Sequence, residues 1–300
     1  VPSGALADAG DGGLITNAAA DGTFTIADSD VDDNNGVGVD VDVETLEVTS
    51  SSVVNNDGAG LDVSATDVVV SDDSSIDENG ATGAALDVTN ATVTDSSISS
   101  NADGAVISAA GDVTVDNSDV DGNDRGVVVE ADTATIDENT IEQNGDGVIV
   151  AVADSANSSV TLNTLTDNAN GLIVDAGADE LTVTGNDFAS SDTDIVNNDN
   201  VALDGTLNYF NATSGPTANT AGGVTDNVVY DPFLTEPKTD STVSTITETT
   251  DFGHDVVLPE DQFTTVGFPA AISEANDGSS PLDRAFDRDL EGNLYKFEDG

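Results

Sequence analysis

Between about residues 36 and 211 one unit of roughly 20 to 25 residues recurs, and a chain written that way folds by stacking copies of one small element. Residues 126–144, GVVVEADTATIDENTIEQN, and residues 104–123, GAVISAAGDVTVDNSDVDGN, show the unit most plainly. Each copy holds a small residue with a short apolar run, a polar turn, a second alternating run, then a third apolar position and an Asn. Aligned on the small residue, the copies open at Gly38, Gly60, Ala84, Gly104, Gly126, Gly147, Gly171 and, degenerately, Asp194. The uneven spacing is what solenoid coils with loops of adjustable length produce.

The apolar runs predict three short strands per coil. The first strands fall at 39–41, 61–63, 86–88, 106–107, 127–129, 148–150, 172–174 and 195–196. Second strands follow in most coils, as at 68–70, 91–94, 113–115, 134–136, 160–162 and 181–183. The third centres on Val53, Ile76, Ile98, Val120, Ile141, Leu165, Phe188 and Leu207. Behind it sits a recurring Asn: Asn56, Asn79, Asn101, Asn123, Asn144 and Asn168. Asn tolerates the left-handed conformation of a sharp turn, and stacked at about 4.8 Å such side chains hydrogen-bond as a ladder. Ligand binding is the competing reading of these Asn residues. The structural one is preferred because their spacing equals the period of the fold.

Composition supports strands over helices. Hydrophobic residues make up 37% of the 300, aromatic residues only 4%, and Trp and Met are absent. The core is therefore built of Val, Ile, Leu and Ala, and the β-branched among them suit stacked strands. Charge is the second constraint. Asp and Glu number 59 against 5 Lys plus Arg, a formal net charge of −54. Repulsion on that scale opposes the compact state at ordinary ionic strength, whereas at molar salt the Debye length falls to about 3 Å. The balance points to a protein made for concentrated salt, as in haloarchaea. It excludes a generic nucleic-acid binder, which needs Lys and Arg for phosphates, and it disfavours anionic membranes. Cysteine is absent, which removes disulfide and thiol chemistry. No run of 18 apolar residues occurs, so no spanning helix is expected. With no initiating Met, Val1-Pro2-Ser3 reads as the start of a processed or trimmed product.

Three strands per coil, about 22 residues per turn, a Gly before the first strand and an Asn ladder resemble the right-handed parallel β-helix. More narrowly, they resemble the repeats of the periplasmic copper-processing and pectate-lyase-like group. Residues 203–237 are similar to the closing segment of secreted haloarchaeal β-helix proteins, through Asn208-Tyr209-Phe210, Ser214-Gly215-Pro216 and Asp231-Pro232-Phe233-Leu234. Phe210 and Phe233 stand where that group has Trp, and Asn211 replaces a Gly. From residue 236 the composition shifts, and Thr265–Pro269 with Gly292–Phe297 resembles a small C-terminal β module of secreted haloarchaeal proteins. That module usually continues further, so Gly300 reads as a truncation. The expected organisation is an opening strand or cap over residues 1–35, a right-handed parallel β-helix of about 8 coils over 36–235, and a small β-rich module over 236–300.

Few residues offer chemistry. Polysaccharide lyases on this scaffold use calcium and a basic residue that removes a proton, and the helix body offers Arg125 alone. A turn Arg paired with a neighbouring carboxylate is the preferred reading. Carboxylate pairs suited to glycoside hydrolysis, such as Asp32-Asp33, Asp72-Asp73 and Asp192/Asp194, do not stand out from so acidic a background. His254, the single histidine, lies in the tail and is read as structural. Asp28, Asp30, Asp32 and Asp33 supply hard oxygens of the kind calcium takes, but these turns are read chiefly as hydrated acidic surface. Sequons at Asn90, Asn157 and Asn211 fall in expected turns or loops and would carry glycans on an exported protein. No catalytic residue and no cofactor is assigned, save calcium or other cations bridging carboxylates.

The resulting expectation is a non-enzymatic extracellular structural protein of a halophilic archaeon, a subunit of a surface layer, filament or coat that associates with itself in high salt. A recognition module for surface glycans, such as an adhesin or viral spike, is the second reading. A polysaccharide lyase or hydrolase is the third.

Overall fold

Val, Ile and Leu at every second position give each short run one buried and one wetted face, the pattern of a half-buried strand. A single such strand cannot cover its apolar side, so the copies stack. A computed structural model describes residues 5–7, 12–16, 22–190, 192–211, 215–216, 223–231, 233–234 and 236–237. Every strand pairing in it is parallel and joins one coil to the next, as in Ile98↔Val120, Val127↔Val148 and Val115↔Ile136. The short strands form a nine-stranded sheet from Ala5–Ala7 to Asp187–Ala189, and the longer ones form a second sheet wrapping the other side of the core. The protein is an all-β parallel solenoid of about 9 turns with a single 3-10 turn, Ser155–Asn157, among the described residues. Nine rungs at about 4.8 Å make a body about 38 Å long.

The core is a column of aliphatic side chains, with Val53, Ile76, Ile98, Val120, Ile141 and Leu165 all fully buried at the centres of the short strands. Three particulars differ from the sequence reading. In the early coils the first and second strands run together as single bent strands, Val37–Thr49, Leu61–Ser71 and Thr82–Thr94. From Asp103–Ala109 and Asp112–Asp116 onward the expected break appears. The small residue of the third copy is Gly83 rather than Ala84, because Ala84 pairs with Leu61 and Ala105 inside the strands. In the last copy the buried position is Phe210 and not Leu207, which occupies the turn at φ 60°.

The stack also reaches back before residue 36. Gly12–Thr16 pairs with Val37–Thr49, and Asp30–Asp32 pairs with Ser52–Val54. At the far end aromatic rings replace aliphatic ones. Phe188 and Phe210 stack at 5.6 Å, Tyr230 meets Phe210 edge-on at 6.4 Å, and Phe233 lies 6.5 Å from Tyr230. These rings close the open end of the core with the bulk that Trp would otherwise supply. The C-terminal module expected over 236–300, with His254, lies outside the described residues apart from positions 236 and 237.

Candidate functional site

The recurring polar residues were the first candidates for a site, and their geometry assigns them to stacking. Asn34, Asn56, Asn79, Asn101, Asn123, Asn144 and Asn168 are buried one above the next. Each Nδ2 donates to the Oδ1 of the following Asn, at 3.0 Å for Asn79 to Asn101 and 3.1 Å for Asn144 to Asn168. The same Nδ2 also donates to a carbonyl at the centre of the preceding short strand, as from Asn101 to Ile76 at 2.9 Å. The Oδ1 in turn accepts the backbone N–H of the preceding Asn, as from Asn79 at 3.0 Å. No polar capacity is left for a ligand. The glycine column exists to admit these amides: a Cβ on Gly38 would stand 2.7 Å from Asn56 Nδ2, and one on Gly104 would stand 2.3 Å from the Gly126 carbonyl.

A second ladder at the other corner escaped the sequence reading. Ser29, Ser51, Ser74, Ser96 and Ser118 lead into Asn139, Asn163, Asn186 and Asn208, nine rungs in all. Ser118 N–H donates to Asn139 Oδ1 at 2.9 Å, and Asn139, Asn163 and Asn186 each pass Nδ2 to the next Oδ1 at 3.0 Å. The signal was present, since each member lies two residues before a buried apolar centre. A change from Ser to Asn partway along the column hid it.

The left-handed residue is not the ladder Asn, as expected, but the residue just before it at both corners. Asp33, Asn55, Glu78, Ser100, Gln143 and Asp167 have φ of 54–56° at one corner. Asp28, Ser50, Asp73, Asp95, Asn117, Glu138 and Leu162 hold the other with φ of 45–60°. Asp and Asn tolerate this conformation better than most residues, which explains part of the Asp content without any ligand.

The four metal candidates are spread over two corners and the strand between them. Asp28 and Asp33 sit at opposite corners, while Asp30 and Asp32 lie on the short strand between them. Among the described residues no group of three or more Asp, Glu, His or Cys is placed to hold a metal ion. Asp72 and Asp73 are both left-handed turn residues, and Asp192 is exposed while Asp194 is buried. Arg125 is engaged: its Nε donates to Asp103 Oδ1 and its Nη2 to Asp103 Oδ2, each at 2.7 Å. These hydrogen bonds hold the Asp103 carboxyl below its ordinary range and the guanidinium above its own. An arginine forked onto a carboxylate and raised in pKa is a poor proton acceptor.

The acidic surface follows a rule. Carboxylates stack on donors from the neighbouring coil: Asn90 on Asp67 at 2.8 Å, Asn117 on Asp95, Thr133 on Asp112, Thr161 on Asp137 and Asn170 on Asp146. Asp116 and Asp137 break it as direct lateral neighbours, as do Asp40 with Asp62 and Asp121 with Glu142. Burial first, then repulsion from Asp137, Glu138 and Asp95, pushes the Asp116 pKa up. At the corner between second and third strands a groove of about 360 Å³ runs across several coils, with Asp73, Asp95, Asp119 and Glu138 among its walls. The sequons differ in setting. Asn90 lies inside a strand, not a loop, with its Nδ2 held by Asp67. Asn157 is exposed in the 3-10 turn, and Asn211 is exposed with its following residues outside the described set.

Asp194 is the buried exception. It takes the place of the glycine after Gly171, and its carboxylate turns inward to accept the Ser190 N–H at 2.9 Å. Only 1% of it is exposed, and burial pushes its pKa up to about 6.

Residues 46–188 match the family model described as right handed beta helix region. That match covers just under half of the chain, and with the parallel coils above it gives the chain the fold of a right-handed parallel β-helix. No curated protein and no solved structure matches it. No helix among the described residues is long and apolar enough to cross a membrane.

Proposed function

We infer that this chain is a non-enzymatic extracellular structural protein of a salt-loving cell, a stiff rod that associates with itself in a surface layer, filament or coat. One observation carries the reading: the repeating polar residues inside the coils are spent on stacking, in two ladders of which the Asn34–Asn168 one is unbroken. A body so organised supplies length and rigidity. The fold alone does not separate this role from catalysis, because the same scaffold hosts lyases. Against a lyase stands the one body arginine, already paired to Asp103. The acidic exterior suits concentrated brine, where screening over about 3 Å removes most of its self-repulsion. Sequons exposed at Asn157 and Asn211 agree with an exported glycoprotein.

A glycan- or host-binding module is the second reading, favoured by the groove beside Asp95 and Glu138, whose carboxylates and hydroxyls are of the kind that accept hydrogen bonds from sugars. Electron microscopy of the native protein in molar salt separates the two. Ordered polymers without any added partner support the structural role. A dispersed particle that binds cells or glycans sinks it, and turnover of an acidic polysaccharide sinks both.

A further inference from the structure

The first strand of each coil turns alternate residues inward, and the residue between two buried ones faces out. Following that outward position up the stack gives Asp40, Asp62, Ala85, Val106, Val128, Ile149, Ile173 and Val196, which pair coil to coil in register. Their flanking neighbours, such as Val148 and Val150 beside Ile149, are fully buried, whereas Val106, Val128, Ile149, Ile173 and Val196 keep part of their surface outside. The column, entered by Ile15 as the partner of Asp40, passes through two acidic positions and is then apolar for six coils. With 59 acidic residues in the chain, solubility alone does not produce such a run. Strands apolar on both faces are the mark of a sheet covered on both faces.

We propose that this stripe is the surface by which one copy of the chain packs against a second copy, and the inference rests on the self-associating role proposed above. Charge selects the occupant. A second copy brings the same uncharged column, so pairing the two stripes keeps the carboxylates of both bodies at the edges of the contact. Asp87 and Glu130 flank the stripe on one side, and Asp103, Arg125 and Asp146 on the other. Ser108 and Ala151 thin the charge beside its middle. Two flat β faces of this kind pack about 10 Å apart with strands nearly aligned.

Size sets the strength. Six residues rising about 4.8 Å each span about 24 Å, and a stripe one strand wide falls well below the ~800 Å² per partner of a standard stable interface. The contact is therefore weak alone and gains by repetition in a polymer. It also strengthens with salt, because sulfate favours apolar burial and screening removes the repulsion between bodies. An ion-paired contact would do the reverse.

Sedimentation velocity of the full chain across sulfate concentrations tests this, comparing the natural protein with Ile149→Asp, Ile149→Thr and Thr114→Asp. Thr114 lies outside the stripe on the second strand, so its substitution adds the same charge elsewhere. Circular dichroism in molar salt checks that each variant is folded. The natural chain and Thr114→Asp should associate more tightly as sulfate rises, while Ile149→Asp loses about tenfold or more in affinity. Ile149→Thr, which keeps the β-branched shape, should fall in between. Association of both Ile149 variants at the natural level overturns the stripe and leaves self-assembly standing. A natural chain that stays monomeric at every sulfate concentration overturns both.

Discussion

Replacing Asn101 with alanine removes the central rung of a seven-rung ladder. Asn101 Oδ1 accepts both the backbone N–H and the Nδ2 of Asn79, each at 3.0 Å, and its own Nδ2 reaches the Ile76 carbonyl at 2.9 Å. Alanine cancels these three hydrogen bonds and a longer one from Nδ2 to Asn123 Oδ1 at 3.4 Å, and it leaves the Asn79 N–H without its acceptor in a site only 5% exposed. One orphaned buried donor costs about 1–3 kcal/mol, and the three further bonds add about 0.5–1.5 kcal/mol each. The expected loss is about 2.5–7.5 kcal/mol. Asn101→Asp keeps an acceptor but cannot donate to Ile76 and buries a charge, so at neutral pH it should cost at least as much. Coils in a solenoid contact only their neighbours, so a weak rung in the middle also divides the cooperative unit. Urea unfolding at fixed molar salt reads both effects, as a lower midpoint and a shallower transition. Thr114→Ala, which is half-exposed and outside the ladder, serves as the control. A cost for Asn101→Ala no larger than that control would refute the stacking argument.

Three more expectations follow from single residues. The Asp194 pKa, raised from 3.8 to about 6, means the folded state holds this proton more tightly than the unfolded chain. Its ionisation therefore erodes stability between pH about 4 and 6, by about 2–3 kcal/mol in total. Asp194→Asn should be more stable than the natural chain at pH 7 and lose that advantage at pH 4, a difference that cancels the titration of the other carboxylates. Leu162 holds φ 57° where Asn or Gly is favoured; Leu162→Asn should leave stability unchanged or raise it by up to about 1 kcal/mol in thermal melts. Arg125→Gln breaks a partly exposed ion pair, 42% and 23% open on its two sides, and should cost less than about 1 kcal/mol, with the cost shrinking as salt is added.

Period and alternation made the fold readable in advance. Runs such as Val127-Val128-Val129 and the Asn before each new coil repeat at the length of one turn, and stacking converts that repeat into register. What stayed hidden depended on contacts between coils. Gly83 is indistinguishable from Ala84 by composition, and only pairing with Gly60 and Gly104 shows which one sits over an amide. The Ser-to-Asn ladder changes residue type at Asn139, so no single letter marks its column. Asp194 reads as a degenerate repeat position until its carboxylate is seen turned inward. The outward apolar column was visible as an unbroken run, yet alternation alone does not say which member of the run faces water. The Asp-rich turns read chiefly as hydrated acidic surface, and composition did not show that Asp28 and Asp33 also hold left-handed corners, at φ 47° and 54°.

Small-angle X-ray scattering in molar salt, followed as protein concentration rises, bears most directly on the self-assembling rod. One described body is about 38 Å long. The account predicts a maximum dimension that grows with concentration beyond a single chain. A particle whose dimensions stay those of one chain at every concentration and salt would contradict it.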